Sequence, residues 1–569
     1  IIITIGIITV MITYKLHFIP LGGIVGVTKN MYVYESYNDD KLKDIIIVDC
    51  GIGFPKEKEL GVDFVIPDIS YLMDKKQFIR AILITHGHED HTSALPLLYD
   101  DLGRPPVYAS LLTSMFIENK FKDKHKKILV NRVDFNKEYI FGDFIISYLT
   151  MTHSIPDTTH IIIKTPVGTI YHGSDFKLDL TPPYGPGPDF YKIAKAGHEG
   201  ILCLLSDCLG SEREGLTLSE NIVGQTFEDE MRKTKGKFIM TTFSSNISRI
   251  RQCVDAAIKF NRKICFLGRS MRENTKIAAS IGYLPIPQSL FIKEEEVSRF
   301  PPAKICLIVA GSQGQYGSAL SKLADRQNKN IAIKSGDKII FSSDPIPGNE
   351  NGVYETIEQL SEEGADVVYS DIADQLHSSG HGNQEDLKFL VRFTNPRYFI
   401  PIGGTIRHQK QYENLVEQLG YAKKDVFSLN EGETIWFVKN KAYKGDKVET
   451  KNIYVDAYGI GDVGSVILRD RKTLATDGIV FALIIVDNKG LIIGKPKIFS
   501  RGFIFEKEEG RLYLQAEEMI ANHPSFAKAT EGKQFDAGKM QYDVIKNLEE
   551  FFRKATGRKP LIVAEVIQL

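Results

Sequence analysis

The sequence predicts a multidomain α/β protein, and three observations carry that expectation. Its 569 residues exceed what one core supports, which suggests about three or four domains. Short β-branched apolar runs alternate with stretches of helical period. Several of those runs end in histidines and aspartates, the arrangement of a site assembled from loops at strand ends.

Composition narrows the class. Hydrophobic content of 43% and charged content of 25% are those of an ordinary soluble protein. The net charge of -1 means that a nucleic-acid partner would have to be held by local basic patches. Lys120, Lys122, Lys124, Lys126, Lys127 and Arg132 form one such patch, which reads first as a solvated helix face. The cysteines (Cys50, Cys203, Cys208, Cys253, Cys265 and Cys306) are scattered without a Cys-x-x-Cys pair. That argues against zinc ribbons and disulfide frameworks and leads us to expect a reducing, cytoplasmic setting. Ile1 to Val10 is apolar, but it lacks a charged leader region, and Lys15 follows too soon for a membrane span. Residues 1–13 are therefore expected to be a non-native or disordered extension, with Met11 the expected start, and no membrane association is expected.

Within 14–215, Ile45-Ile46-Ile47-Val48-Asp49-Cys50-Gly51 reads as a strand buried on both faces. Ala81-Ile82-Leu83-Ile84 is a second strand, and Phe144 to Leu149 and Thr169 to His172 are two more. A Pro/Gly-rich surface loop covers 181–188. A second α/β domain is expected over 216–370. There Ile247, Ile250, Val254, Ala257 and Ile258 share one helical face, and 264–267, 305–309 and 338–341 are strands. Residues 371–448 return to site-forming loops, and 449–569 read as a separate α+β tail. Its last helix packs through Val544, Ile545, Leu548, Phe551 and Phe552, and 525–533 looks like a small polar insertion.

Chemistry concentrates after the second strand, in His86-Gly87-His88-Glu89-Asp90-His91. Histidines and aspartates grouped at the end of an apolar run have a desolvation cost that a bound cation offsets. The spacing turns His86 and His88 one way and Asp90 and His91 another, which suits two adjacent metals better than one closed structural site. His153 and Asp175 follow the later strands and extend the same pattern.

These residues resemble the metallo-β-lactamase fold, and the 216–370 insertion resembles a β-CASP domain. Further motifs are similar to those of the bacterial ribonuclease J family. They are Pro20-Leu21-Gly22-Gly23, His153-Ser154-Ile155-Pro156-Asp157, Gly268-Arg269-Ser270-Met271, Gly311-Ser312-Gln313-Gly314, Ile346-Pro347-Gly348-Asn349-Glu350 and Ser379-Gly380-His381-Gly382. The tail adds Gly461-Asp462-Val463-Gly464 and Leu468-Arg469-Asp470-Arg471. The resemblance implies an αββα sandwich over 14–215 and 371–448, an inserted β-CASP α/β domain over 216–370, and a C-terminal α+β dimerisation domain over 449–569.

It also implies a zinc-dependent nuclease acting on single-stranded RNA, with 5′-to-3′ exonuclease and endonuclease activity in RNA maturation and decay, assembled as a homodimer or tetramer. One Zn2+ would be held by His86, His88 and His153, the other by Asp90 and His91, with Asp175 bridging. Asp49 would support the site, His381 would protonate the leaving oxygen beside Asp207, and His377, Ser378, Ser379, Gly380 and His381 would form a substrate-phosphate loop. Ser244, Ser245 and Asn246 match an RNA-contact segment, although they also read as an ordinary helix cap. Gly61, Asp63 and Asp456 match a structural Ca2+ site of some relatives.

The chain departs from this family at Gly403, which stands where the last metal-site histidine is expected, so the second cation should be held more weakly and accept Mn2+ or Mg2+ as well. Gln315-Tyr316 replaces a usual Glu-Pro, Gly26 a usual Glu, and Cys208-Leu209-Gly210 a polar triplet. Two other readings compete with the nuclease: a non-catalytic RNA-binding paralogue with an incomplete metal site, and a small-molecule hydrolase of the same fold. Retention of the other metal ligands counts against the first, and the β-CASP-like insertion with the His381 and Asp207 pair against the second.

Overall fold

The computed structural model describes residues 13–569 apart from 57, 347–348, 371, 373–375, 457–458, 505 and 523–534, and within the helix beginning at Glu506 it omits the side chains of 506–509. The expected extension therefore lies outside the described residues except for Thr13, as do Pro347, Gly348 and the 525–533 insertion. The chain divides into two compact units: residues through 54 with 65–453, and 55–64 with 454–569.

The first unit contains a sandwich of two sheets. One has eight strands in the order 441–444, 435–438, 14–22, 31–38, 41–48, 79–83, 107–109 and 130–132. The other has six, in the order 398–402, 203–207, 168–172, 159–165, 144–150 and 138–141. Leu16, Phe18, Tyr34, Ile46 and Leu83 of the first sheet pack against Ile146, Tyr148, Ile161, Ile170 and Ile400 of the second. Burying these side chains completely is worth roughly 1.5–3 kcal/mol each before chain entropy is counted. On the far face of the six-stranded sheet, helices Phe190–Glu199, Gln384–Thr394 and Ile406–Gln418 bury Ile193, Leu387, Leu390, Tyr412 and Val416 against Leu149, Leu204 and Phe399.

A fully parallel sheet is inserted between these elements, in the order 263–267, 305–309, 238–241, 338–341 and 366–368. Its strands are nearly continuous apolar runs because helices cover both faces. Ile247, Ile250, Val254 and Ala257 are buried on one face of helix Ile247–Lys259, as the periodicity predicts, with Ile258 at the margin. All six cysteines are free and buried. In the second unit, strand Ile479–Val486 pairs parallel with Leu561–Gln568 and antiparallel with Lys497–Arg501. Val544, Leu548 and Phe552 of helix Ala537–Thr556 cover one face of this sheet. Among the described residues no helix is long and apolar enough to cross a membrane.

An ionic cluster sits on the eight-stranded sheet. The fully buried Glu35 carboxylate accepts from Tyr37 Oη (2.8 Å), Tyr71 Oη (2.9 Å) and Lys75 Nζ (3.0 Å), with His17 Nδ1 at 3.2 Å. Burial alone would raise the Glu35 carboxyl, but His17, Lys75 and Tyr37 outweigh it and hold it below its ordinary 4.5. Its stabilisation is therefore complete above that value and lost as pH falls through the folded-state value. Glu35→Leu should destabilise the first unit by about 3 kcal/mol, because the half-buried Lys75 charge and the Tyr37, Tyr71 and His17 groups lose their common partner. Urea unfolding followed through Trp436, which stacks on His17 at 3.9 Å, reads this directly. An unchanged midpoint would show that the cluster contributes no stability.

Candidate metal centre and its cleft

The site stands where strand ends of the two sheets meet. Strand Ile79–Leu83 hands the chain to the 86–91 loop, strand Phe144–Thr150 leads to His153, and strand Gly168–His172 leads to Asp175. One donor set comprises His86, His88, His153 and Asp175, a second Asp90, His91 and Asp175, and a third Asp175, Asp207 and His381. Within each set the ligand atoms lie within 4.8 Å of one another. Asp175 Oδ2 is 3.9 Å from the Nε2 atoms of His86 and His153 and 3.4 Å from His91 Nε2, so one carboxylate is shared.

The donor chemistry fits divalent metal. His86 Nε2 and His153 Nε2 approach His88 Nδ1 at 3.1 and 3.2 Å, so three ring nitrogens converge on one point. Burial and the neighbouring imidazoles push His86 and His88 well below the ordinary histidine range, and His153 to about 3. Such neutral rings present lone pairs, which is what a metal requires. His91 behaves oppositely: burial disfavours its cation, but Asp175, Asp90 and Asp49 outweigh it and raise it well above 6.5.

Hydrogen bonds fix the rings. His91 Nδ1 donates to Asp49 Oδ2 (2.7 Å), and Asp49 in turn accepts from the Thr85 amide (2.8 Å) and hydroxyl (2.8 Å). Asp49 is thus a positioning carboxylate with φ of 61°, in the left-handed region, where only a short polar side chain is cheaply tolerated. Gly51 beside it is obligatory, since a Cβ there would lie 1.6 Å from the Asp90 carbonyl oxygen. His153 Nδ1 donates to the Gly380 carbonyl (2.5 Å), which leaves Nε2 for the centre.

His381 approaches from the other side. Its Nδ1 lies 2.7 Å from Asp207 Oδ2, and Asp207 is fully buried. Burial disfavours the imidazolium, but Asp207 and Asp175 prevail and push it up to about 9, so the ring carries its proton at neutral pH. A buried network holds its loop. Arg249 bonds both oxygens of Glu220 (2.8 Å each) and donates to the Ser378 carbonyl (2.9 Å), while Lys177 Nζ donates to Ser378 Oγ (2.7 Å).

A cavity of about 430 Å3 opens over these groups, lined among others by Ser244, Ser245, Asn246, His377, Ser379 and His381. The expected substrate loop therefore reaches the cleft, except that the Ser378 side chain turns inward to Lys177 and the Leu218 carbonyl. Asn246 also caps its helix, accepting from the Arg249 amide at 3.1 Å. Asn30 was not singled out by sequence. Its Nδ2 lies 3.0 Å from His91 Nε2 and donates to the Asp90 carbonyl (3.2 Å), across sixty residues and with no local signal. Arg249, Lys177 and Glu220 carry no motif either. In the second unit, Arg471 donates to the Gly61 carbonyl (2.9 Å) and to Asp456 (3.0 Å), so a guanidinium engages two of the three expected calcium ligands.

Two facing sheets with imidazoles and carboxylates gathered at their ends define a metal-dependent hydrolase of the metallo-β-lactamase fold, and residues 25–200 match the metallo-beta-lactamase superfamily. The chain belongs to the ribonuclease J family. Residues 235–360 match the ribonuclease J beta-CASP domain, 466–569 the ribonuclease J C-terminal domain, and 365–428 a Zn-dependent metallo-hydrolase RNA specificity domain. It is 36% identical to ribonuclease J 1 of Streptococcus pyogenes over 96% of both chains. It is 34% identical to ribonuclease J2 of Bacillus subtilis over 98% of this chain and 99% of that one. A solved structure from Enterococcus faecalis, described as a protein of unknown function, shares the fold with a TM-score of 0.53 at 15% identity. That match covers 74% of this chain and 100% of that one.

Gly403 faces the site. A Cβ there would meet only Asp207 Oδ1 at 3.6 Å and Asp175 Oδ1 at 3.7 Å, so a side chain would start beside the metal donors without a clash at Cβ. His408 does not take its place: Nδ1 accepts from the Thr405 amide (3.2 Å) and Nε2 lies 3.4 Å from Glu212. Metal analysis should accordingly find one tightly held equivalent per chain, and Gly403→His should retain closer to two. The histidine must adopt a φ near 66°, at a stability cost of about 1–2 kcal/mol. Two tightly held equivalents in the unsubstituted protein would show that another group completes the second set.

Proposed function

We propose that this chain cleaves single-stranded RNA in the cytoplasm, removing nucleotides 5′ to 3′ and also cutting internally, in RNA maturation and decay. The observation that carries the reading is His381, held by Asp207 and set beside the shared Asp175 in a cleft walled by hydroxyl, amide and imidazole groups. Zn2+ suits the set of three imidazoles, whereas the second set, with two carboxylates and one imidazole, also suits Mn2+ or Mg2+. Two adjacent cations would supply a water of lowered pKa and offset phosphodiester charge.

The protein's own groups do the rest. Asp49 and Asn30 hold His91 in place, Gly380 sets the His153 tautomer, and Asp207 keeps the proton on His381, whose Nε2 donates it to the departing 3′ oxygen. Ser244, Ser245 and Ser379 offer hydroxyls to substrate phosphates at the same cleft. A small-molecule hydrolase has no use for an inserted β-CASP domain or for the His381 and Asp207 pair. A non-catalytic paralogue has no reason to keep six metal donors together with a proton donor. A calcium ion at Gly61 and Asp456 would have to displace the Arg471 guanidinium that engages both.

His381→Ala should slow cleavage by about 10²–10⁴-fold while RNA affinity falls much less. An RNA analogue with a far better leaving group should recover most of that loss. Equal slowing of that analogue would reduce His381 to a phosphate contact.

Self-association through the second unit belongs to the same proposal. Its sheet leaves Phe499, Val563 and Ile567 substantially exposed on the face away from Val544 and Leu548, an apolar surface that a second copy would cover. The full chain should have the solution mass of a dimer or tetramer, and deletion of 449–569 should reduce it to a monomer. A monomeric full chain would refute the arrangement.

A further inference from the structure

We infer that the ring of Tyr316 is a stacking platform for a base of single-stranded RNA, in a groove that continues the metal cleft. The inference rests on the ribonuclease reading above. A cavity of about 800 Å3 adjoins the cleft and shares Glu89, Phe116, Lys120, Ser270, Asn274 and Gln315 with it. A chain bound at the metal centre and longer than the cleft can therefore pass directly into this groove. Tyr316 stands on its rim and is 93% exposed, so its ring contributes almost nothing to folding.

The loop that carries the ring is nevertheless anchored. On one side, Gln313 donates from Nε2 to the Asp344 carbonyl (2.9 Å) and accepts from the Ile346 amide (2.7 Å). On the other, the Ser318 amide donates to the Gln315 carbonyl (3.1 Å), and Ser318 Oγ caps helix Ala319–Ala324 by accepting from Ser321 (3.1 Å). A fixed backbone with a fully solvated aromatic ring can stack a base while losing little order of its own. Every base has a π face, so such a contact tolerates any sequence.

The groove also carries cations for the phosphates. Arg269 pairs with Asp123 (3.2 Å) and Glu273 (2.8 Å), and Arg272 with Glu294 (3.6 Å), but both guanidinium side chains are more than half exposed. Exposed pairs of this kind are weak, so a phosphate can compete for them. Lys322 is exposed in the same groove and has no ion pair among the described residues. A stacked base on Tyr316 flanked by these groups matches the pattern of sequence-independent single-strand binding.

Steady-state kinetics of the metal-loaded full chain test this with two RNA oligonucleotides, one of about 3 nucleotides that fills only the cleft and one of about 12. Tyr316→Ala should raise KM for the longer RNA about tenfold with kcat unchanged and should leave the shorter RNA unaffected; Tyr316→Phe should behave like the unsubstituted protein. A longer RNA carrying 5-iodouridine should cross-link to Tyr316 on irradiation. An unchanged KM for Tyr316→Ala on the longer RNA, or an equal rise for the shorter one, would overturn the platform while leaving the ribonuclease reading intact. Absence of cleavage of either RNA by the unsubstituted protein would instead overturn the ribonuclease reading.

Discussion

Asp175 is the one carboxylate that all three donor sets share, and the functional geometry depends on it. Its position follows from strand Gly168–His172, which is paired on both sides by Thr159–Thr165 and Cys203–Asp207. Four of its partners, His86, His88, Asp90 and His91, arrive from the other sheet, after Ile79–Leu83, whereas His153 follows Phe144–Thr150 of its own sheet. Only close packing of the two sheets, through residues such as Leu83, Tyr148 and Ile161, holds His86 and His91 at the distances quoted. A core packed at crystal-like density transmits that constraint with little play. The metal donors are thus a consequence of sheet-on-sheet packing as much as of motif.

A second constraint joins the inserted sheet to the sandwich. Arg249 lies in the first turn of helix Ile247–Lys259 of the insertion, yet its guanidinium is buried against Glu220, the Ser342 carbonyl and the Ser378 carbonyl. Such a buried charge network is costly to desolvate, and a well-packed apolar replacement is often as stable. What an apolar replacement cannot supply is the set of directed bonds that fixes Ser378, and with it Gly380 and His381. We read the network as the means by which two folded layers agree on where the proton donor stands.

Gly403 stands where the resemblance leads us to expect a metal-site histidine. The glycine sits in the left-handed region and directs no side chain into a space bounded by Asp175 and Asp207. The shared carboxylate and the Asp207–His381 pair are intact beside it, so the loss falls on one ligand place and leaves the proton donor untouched. His408, five residues on, is committed to its own helix start and to Glu212.

The sequence by itself determined the alternation of strands and helices, the buried faces of helices such as Ile247–Lys259, and the donors at the 86–91 loop, His153 and Asp175. These are local signals: periodicity follows backbone geometry, and unpaired imidazoles at a strand end have few uses besides metal. Family resemblance then brought Asp49, Asp207 and His381 to the same site. Tertiary structure alone decided which atoms meet. Asn30 reaches His91, Ser378 turns from the cleft to Lys177, Arg471 bonds the Gly61 carbonyl and Asp456, and Tyr316 stands free on the rim of the adjoining groove. None of these contacts has a sequence signature, because each joins residues distant along the chain, or none at all, and is set by how the layers pack.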